Sequence, residues 1–181
     1  MVLVTRRQHL LVDPTTQPQM ARFAGAPRLC DLTRKRIGLI DDSKENAQEL
    51  LEELVAVLHQ RFGVAEVVSH RKPSASKPAA PEAIAELAQT CDYAVVAIGS
   101  RGSCSACSVH DGIHLEQAGI PAVTICTDIF MATSRAMASL WGASEYPIIF
   151  TPHPISNPTR AQLRARAAAM LDEIVSIVTG G

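Results

Sequence analysis

From residue 36 onward, short apolar runs alternate with segments of helical pattern. This alternation is typical of repeated βα units, which build a sheet of parallel strands covered by helices. The predicted strands are Arg36–Asp41, Ala65–Ser69, Tyr93–Ile98, Ala122–Cys126 and Ile148–Thr151. We therefore expect one α/β domain over residues 34–181, a three-layer sandwich whose mostly parallel five-stranded sheet has a flavodoxin-like or a Rossmann-like strand order.

The helices are predicted from apolar spacing and from capping residues. Between the first two strands an apolar stripe at helical spacing predicts a helix, and its members are Ala47, Leu50, Leu51, Leu54, Val55 and Leu58. After the third strand, the capping-box pattern of Ser108 and Asp111 predicts a helix that begins near Ser108 and ends before Gly119. Asn157 and Pro158 predict the start of the last helix, as its N-cap and first helical residue.

Two segments lack such patterns. Residues 1–33 contain Pro14, Pro18 and Pro27 without periodicity. They are predicted to form an irregular N-terminal arm that packs on the domain or on the partner subunit of a homodimer. Residues 70–80 are basic and rich in Pro and Ser, so this loop is either an exposed connection or a mobile flap that binds anions.

Composition narrows the choice of partners. A chain of 181 residues that is 47% hydrophobic is large enough to fold around one core. A formal charge of −1 leaves no excess of positive charge for a phosphate backbone, so nucleic acid is not an expected partner. No apolar run approaches the roughly 18 residues of a membrane span, and the N-terminus lacks the apolar core of a leader. We expect a soluble cytoplasmic protein with no membrane partner.

The five cysteines differ in context. Five is an odd number, and the chain is large enough to fold without cross-links, so a disulfide framework is not expected. Cys91 precedes a strand and Cys126 lies within one, and both are predicted to be buried apolar residues. Cys104 and Cys107 follow the third strand, in a glycine-containing loop.

The loop of residues 99–107 leaves the central strand at the carboxyl edge of the sheet, where ligands bind in such folds. Its glycines permit close approach to the backbone, and the helix N-terminus that follows favours an anion. A thiolate is an anion, so Cys104, beside Arg101, is predicted to have a lowered pKa and to act as a nucleophile. Arg101, Gly102 and Ser103 are the predicted substrate-binding residues of this loop.

Cys104 and Cys107 also have the C-x-x-C spacing of dithiol redox sites. If the helix begins near Ser108, both thiols lie on flexible backbone and a reversible disulfide is expected between them. His110 and His114 stand four residues apart, and with the two cysteines they allow an alternative in which the segment binds zinc. In the favoured interpretation no metal is bound and His110 donates a proton near the thiols.

Three further polar residues follow strands at the same edge. His153 lies between two prolines after the fifth strand, in extended geometry, and is expected to approach Cys104 and transfer protons. Asp128 follows the fourth strand and is predicted to bind substrate. Asp42 follows the first strand and is interpreted as the cap of the next helix.

Several ordered motifs together resemble a known family. They are Ala-Ile-Gly-Ser-Arg-Gly-Ser-Cys-Ser-Ala-Cys-Ser-Val-His-Asp at 97–111, Leu-Glu-Gln-Ala-Gly-Ile-Pro at 115–121, Ile-Cys-Thr-Asp at 125–128 and Pro-His-Pro at 152–154. These segments look like the UGSC family of (seleno)proteins, and the resemblance extends over most of residues 25–178. The same stretch is similar to the carboxy-terminal part of the selenoprotein B subunits of glycine, sarcosine and betaine reductases.

The resemblance implies where the functional site lies, but it does not imply which reaction takes place there. Arg101 occupies the position at which the family name places selenocysteine, often replaced by cysteine. A guanidinium cannot attack carbon or carry electrons, so the selenol chemistry is not carried over, whereas Cys104 keeps the Gly-Ser-Cys position. We therefore expect a thiol-dependent enzyme that acts without a cofactor on a small anionic substrate, with Arg101 binding the anion. The alternatives are a non-catalytic subunit that binds a small molecule or a partner, and a zinc-binding domain.

Overall fold

A computed structural model describes residues 23–181 of the chain. Its strands are β1 (Arg36–Asp41), β2 (Glu66–Arg71), β3 (Tyr93–Gly99), β4 (Ala122–Thr127) and β5 (Ile148–Thr151). Its helices are α1 (Ala47–Phe62), α2 (Pro81–Thr90), α3 (Gly102–Gln117), α4 (Met131–Leu140) and α5 (Arg160–Thr179), and a short 3-10 turn covers Asp128–Phe130. The first 22 residues of the predicted N-terminal arm lie outside the described residues.

The five strands form one sheet in the order β2-β1-β3-β4-β5, and each neighbouring pair is parallel. This is the flavodoxin-like order, so the structure decides between the two orders that the sequence allowed. The direction of the crossovers reverses between β1 and β3. A cleft is therefore expected where the chain leaves these two strands, because the following connections run to opposite sides of the sheet.

Helices cover both faces of the sheet and complete the three layers. On one face α1 and α5 pack against each other and against the central strands, around Leu50, Leu54 and Ile174. On the other face α2, α3 and α4 lie side by side, with Leu87 and Ile113 in their cores. Every residue of β3 is buried, whereas the side chains of the edge strand β2 are exposed or half-buried.

The predicted strands and the first helix are confirmed. Four strand starts are as predicted, and β2 is shifted to Glu66–Arg71. The apolar stripe of α1 packs into the core, where Ala47, Leu50, Leu54 and Leu58 are completely buried. Cys91 and Cys126 are buried apolar residues as predicted, and all five cysteines are free thiols.

The predicted start of α3 is wrong. The helix begins at Gly102 rather than near Ser108, and its N-cap is Arg101 in extended geometry. Ser108 lies in the second turn, where its hydroxyl contacts the carbonyl of Cys104 and the carboxylate of Asp42. The capping-box pattern predicted the wrong helix start because the Ser108 hydroxyl bonds to these two buried groups instead of capping the helix.

The predicted start of α5 is also wrong by two residues. Thr159 is its N-cap, and its hydroxyl and the side chain of Gln162 form the reciprocal bonds of a capping box. Asn157 and Pro158 precede the cap, and the carbonyl of Pro158 instead accepts a hydrogen bond from the Asn46 side chain.

Residues 23–33 form neither helix nor strand and pack on the domain. The amide of Ala26 donates to Glu116 Oε2 at 2.6 Å, and Arg28 pairs with Glu116 Oε1 at 2.5 Å. Leu32 is buried with the α1 and α5 face. Among the described helices, none is both long and apolar enough to cross a membrane.

Candidate functional site

A cavity of about 230 Å³ opens at the carboxyl edge of the sheet. Its walls come from the segments that follow four of the strands: residues 44–45 after β1, residues 100–101 after β3, Phe130 after β4 and residues 153–156 after β5. The segments after β1 and β3 meet at the point where the strand order reverses, which is where ligands bind in this fold. The cavity therefore combines the expected location with a size suited to a small molecule.

The lining of the cavity carries cationic groups. Arg101 and Lys44 line it together with His153, and Glu45 is its acidic member. Arg101 is exposed, and within residues 23–181 neither Arg101 nor Lys44 takes part in an ion pair. Cationic side chains that are not neutralised from within the fold favour an anionic ligand.

The first turn of α3 follows Arg101 immediately in the chain. A Cβ built at Gly99 would lie 2.6 Å from Ser105 Cα and 2.7 Å from Cys126 Sγ, so β3 and α3 approach as closely as they do only because residue 99 is glycine. This contact brings the N-terminal end of α3, with its unpaired amides, to the cavity edge. Of the predicted substrate-binding residues, Arg101 lines the cavity, whereas Gly102 and Ser103 do not.

His153 lies in the cavity wall as predicted for an edge residue. Its Nδ1 lies 3.2 Å from Thr127 Oγ1, and its backbone amide donates to Asp128 Oδ1 at 3.1 Å. Asp128 also accepts from the amide of Ile129 at 2.8 Å and does not line the cavity. Asp128 therefore orients the His153 segment from outside the cavity lining.

The thiols occupy different positions from those expected. Cys104 is completely buried in the first turn of α3 and does not line the cavity that His153 lines. Cys107 is half-buried one turn later, and burial raises the pKa of its thiol, against the charge of Lys72. Because both residues lie within the helix, the flexible backbone expected to bring them together as a disulfide is absent.

His110 and His114 form an aromatic cluster on α3. Their rings stack with centroids 4.1 Å apart, and each packs edge-on against Trp141 at 5.0 Å. Burial and the neighbouring His110 lower the pKa of His114. Neither histidine lines the cavity, and in the described part of the chain no three His, Cys, Asp or Glu side chains are grouped so that they could hold a metal ion.

A buried ion network lies at the end of β1. Lys72 Nζ is 2.5 Å from Asp42 Oδ1 and 2.8 Å from Asp111 Oδ2, and all three side chains are almost completely buried. The other oxygen of Asp42 accepts from the Ser108 hydroxyl, and Asp111 Oδ1 lies 3.3 Å from His110 Nδ1. The interpretation of Asp42 as a helix cap is therefore wrong, because its carboxylate is held by Lys72 and Ser108; the N-cap of α1 is Asn46.

The charges of this network are unbalanced, with one ammonium between two carboxylates. Burial raises the pKa of Asp42, and Lys72 and Ser108 oppose this only in part. Burial alone would lower the pKa of Lys72, but the two carboxylates outweigh it and the pKa of Lys72 is raised. Lys72 therefore stays charged, and Asp42 takes up a proton more readily than an ordinary aspartate does.

The loop after β2 is anchored by the same network. Lys72 is buried, and the amide of Ala79 donates to Asp111 Oδ1 at 2.9 Å, so both ends of the segment 72–79 are fixed to α3. Ser76 Oγ lies 3.3 Å from Ser103 Oγ on the exposed side. The loop is thus neither a fully exposed connection nor part of the cavity wall.

Sequence reasoning missed Lys44, Phe130 and Lys72, and it assigned no role to Thr127. Lys44 and Phe130 each follow a strand that ends at the ligand-binding edge. This position in the sequence could have identified them as cavity residues. Lys72 was read only as part of a basic loop, because nothing in its local sequence distinguishes a buried lysine from a solvated one.

Fold and site together define an α/β protein of flavodoxin-like topology with a cationic cavity at its strand-order reversal. The sequence model of the UGSC family matches residues 10–180, and the chain belongs to the UGSC family. The comparison with curated proteins gives no match.

Proposed function

We propose that this protein binds a small anionic molecule, a carboxylate or a phosphate, in the edge cavity. The observation that carries the proposal is the cavity itself, in which Arg101, Lys44 and His153 converge at the strand-order reversal. A guanidinium offers paired N–H donors that match the two oxygens of a carboxylate or phosphate group. Arg101 is the group that holds the anion, and Lys44 adds charge beside it.

We further propose that the site belongs to a thiol-dependent enzyme in which Cys104 is the nucleophile or redox thiol. Two features support this role: Cys104 lies in the first turn of α3, three residues after Arg101, and it keeps the Gly-Ser-Cys position of the UGSC family resemblance. The burial of Cys104 requires that the first turn of α3 opens before the sulfur reaches a substrate. The resemblance to selenoprotein B subunits supports chemistry at this loop, without their selenocysteine.

The second candidate is a binding protein without catalysis, and the complete burial of Cys104 favours it. The two functions share the anion in the cavity and differ in one measurable property, the reactivity of Cys104 in the folded protein. We place either function in the cytoplasm, because five free thiols suit a reducing compartment.

Binding of inorganic phosphate and acetate, measured by calorimetry, tests the proposal. Arg101→Ala is expected to weaken binding about tenfold or more, because a hydrogen bond to a charged group contributes about 1.5–3 kcal/mol. Arg101→Lys keeps the charge but loses the paired donors, so an intermediate affinity is expected. The matched control is Arg61→Ala, which removes an exposed arginine outside the cavity. Equal affinity of the Arg101→Ala and wild-type proteins would remove the proposed site.

A further inference from the structure

The hydroxyl of Thr127 connects His153 to the end of β3. Thr127 is the last residue of β4 and is completely buried. Its Oγ1 lies 3.4 Å from the carbonyl oxygen of Gly99 and 3.2 Å from His153 Nδ1. The His153 segment is fixed from two other directions, by the Asp128 carboxylate on its amide and by the edge of Phe130, whose ring centroid is 5.9 Å away.

Counting hydrogens at this hydroxyl restricts the state of the imidazole. A threonine hydroxyl has one hydrogen to donate and two lone pairs that accept, whereas a carbonyl oxygen can only accept. The register of β3 and β4 shifts between Ala97 and Gly99, so the ladder is irregular where the Thr127 hydroxyl meets the Gly99 carbonyl. If the hydroxyl donates there, it can only accept from His153, and Nδ1 must carry the ring proton.

We propose that Thr127 is a positioning residue that keeps neutral His153 in the tautomer protonated on Nδ1. This tautomer leaves the lone pair of Nε2 for the molecule in the cavity, so His153 is a hydrogen-bond acceptor there and a general base. The proposal rests on the proposed function in that it takes the cavity as the substrate site. It adds a substrate requirement: beside the anionic group held by Arg101, a hydroxyl, amine or thiol hydrogen must face His153.

The proton balance of the step is simple. Nε2 takes the proton of the facing O–H, N–H or S–H group, and that group keeps the bonding electron pair. His153 becomes an imidazolium with a proton on each nitrogen, and Thr127 Oγ1 still accepts from Nδ1. No oxidant or second reactant is needed.

The tautomer can be read directly by NMR from the two-bond couplings of nitrogen-15-labelled histidines, at a pH of about 8.5, where an ordinary imidazole is neutral. We expect the Nδ1–H pattern for His153 in the wild-type protein, with the signals assigned by loss in His153→Gln. Thr127→Val keeps the side-chain shape without the hydroxyl and should shift His153 to the Nε2–H form. Thr127→Ser retains the hydroxyl and should restore the wild-type pattern.

His59 is an internal control for each spectrum. Its Nδ1 lies 3.1 Å from the carbonyl of Val64, which can only accept, so His59 should show the Nδ1–H pattern in all variants. An Nε2–H pattern for His153 in the wild-type protein overturns the proposal, and so does an unchanged pattern in Thr127→Val. If Thr127→Val does not fold, the wild-type spectrum and Thr127→Ser still decide. The NMR spectra are recorded without any ligand. If the Arg101 experiment disproves the proposed anion site, the result on the His153 tautomer therefore still holds.

Discussion

At the scale of single residues, Lys72 carries a positive charge in the protein interior, where burial of a charge is energetically unfavourable. It is buried between Asp42 and Asp111, and it joins the end of β1, the loop after β2 and helix α3. A buried ion pair contributes little net stability over an apolar replacement, but removal of one partner leaves the other charge buried and unpaired. The three residues therefore differ in what their replacement should cost.

Lys72→Met should lower the free energy of unfolding by about 3–5 kcal/mol, because two carboxylates are then buried without a cation. Asp42→Asn should cost much less, because one carboxylate remains to balance one ammonium and the pKa of Asp42 is already raised by burial. Urea unfolding of the two variants measures the difference. Equal losses would show that the imbalance of charge does not govern this network.

The sequence carried part of this residue-scale information. Arg101, Cys104 and His153 were identified because each follows a strand at the carboxyl edge of the sheet, where ligands bind in such folds. Their relation to one another could not be predicted, because it depends on how far α3 extends towards β3. Lys72 and Thr127 act through partners that are 39 and 26 residues away in sequence, and no local pattern marks such contacts.

At the scale of elements, the start of α3 decides what its thiols can do. The helix begins at Gly102 without a side-chain cap, so no capping residue marked its start. Its early start places Cys104 on the buried side and Cys107 on the half-exposed side. By contrast, the apolar residues of α1 recur at helical spacing over several turns, and this periodicity predicted the helix without a capping residue.

Mild oxidation of the folded protein should produce no bridge between Cys104 and Cys107, because the Cys104 thiol is completely buried and an oxidant in solution does not reach it. Iodoacetamide should label exposed Cys30 and half-buried Cys107 well before Cys104. Peptide mass spectrometry reads both outcomes, and buried Cys126 is the matched unreactive thiol. Labelling of Cys104 far faster than Cys126 would favour the thiol-dependent enzyme, and equally slow labelling would favour the binding protein. A bridge formed in the folded protein would show that the first turn of α3 opens readily.

At the scale of the whole molecule, the alternation of apolar runs was sufficient to predict the architecture. Five strands with intervening helices restrict the fold to few arrangements, because right-handed crossovers exclude most orders. The order itself could not be read, since flavodoxin-like and Rossmann-like sheets have the same local pattern. The structure supplies it through the pairing of β1 with both β2 and β3.

The folded molecule also buries groups that ionise at alkaline pH. Burial raises the pKa of Cys126 to about 12 and raises the pKa values of Cys91, Tyr93 and Tyr146. A group whose pKa is higher in the folded state keeps its proton there while the unfolded chain loses it, so stability falls as the pH rises. The fall should begin near pH 9.0, the ordinary thiol pKa, and steepen as the tyrosines follow above 10.0.

Urea midpoints at a series of pH values from about 8 to 10.5 measure this fall, which we expect to be continuous. Cys126→Ala removes one of the buried acids and should flatten the curve between pH 9.0 and 10.0, even if it lowers stability at neutral pH. A midpoint that stays constant over the whole series would contradict the expected burial of these groups.

The edge strand β2 has a consequence for how the protein behaves in concentrated solution. Within residues 23–181 no strand pairs with the outer side of β2, so its backbone groups there offer a template on which another chain can add. Val67 is 42% exposed there and would favour such pairing. Glu66, His70 and Arg71 surround it with charged and polar side chains, which oppose the flat apolar contact that aggregation needs. The charges of β2 thus serve colloidal stability, and replacing them with β-branched apolar residues would turn the edge into a site of self-association.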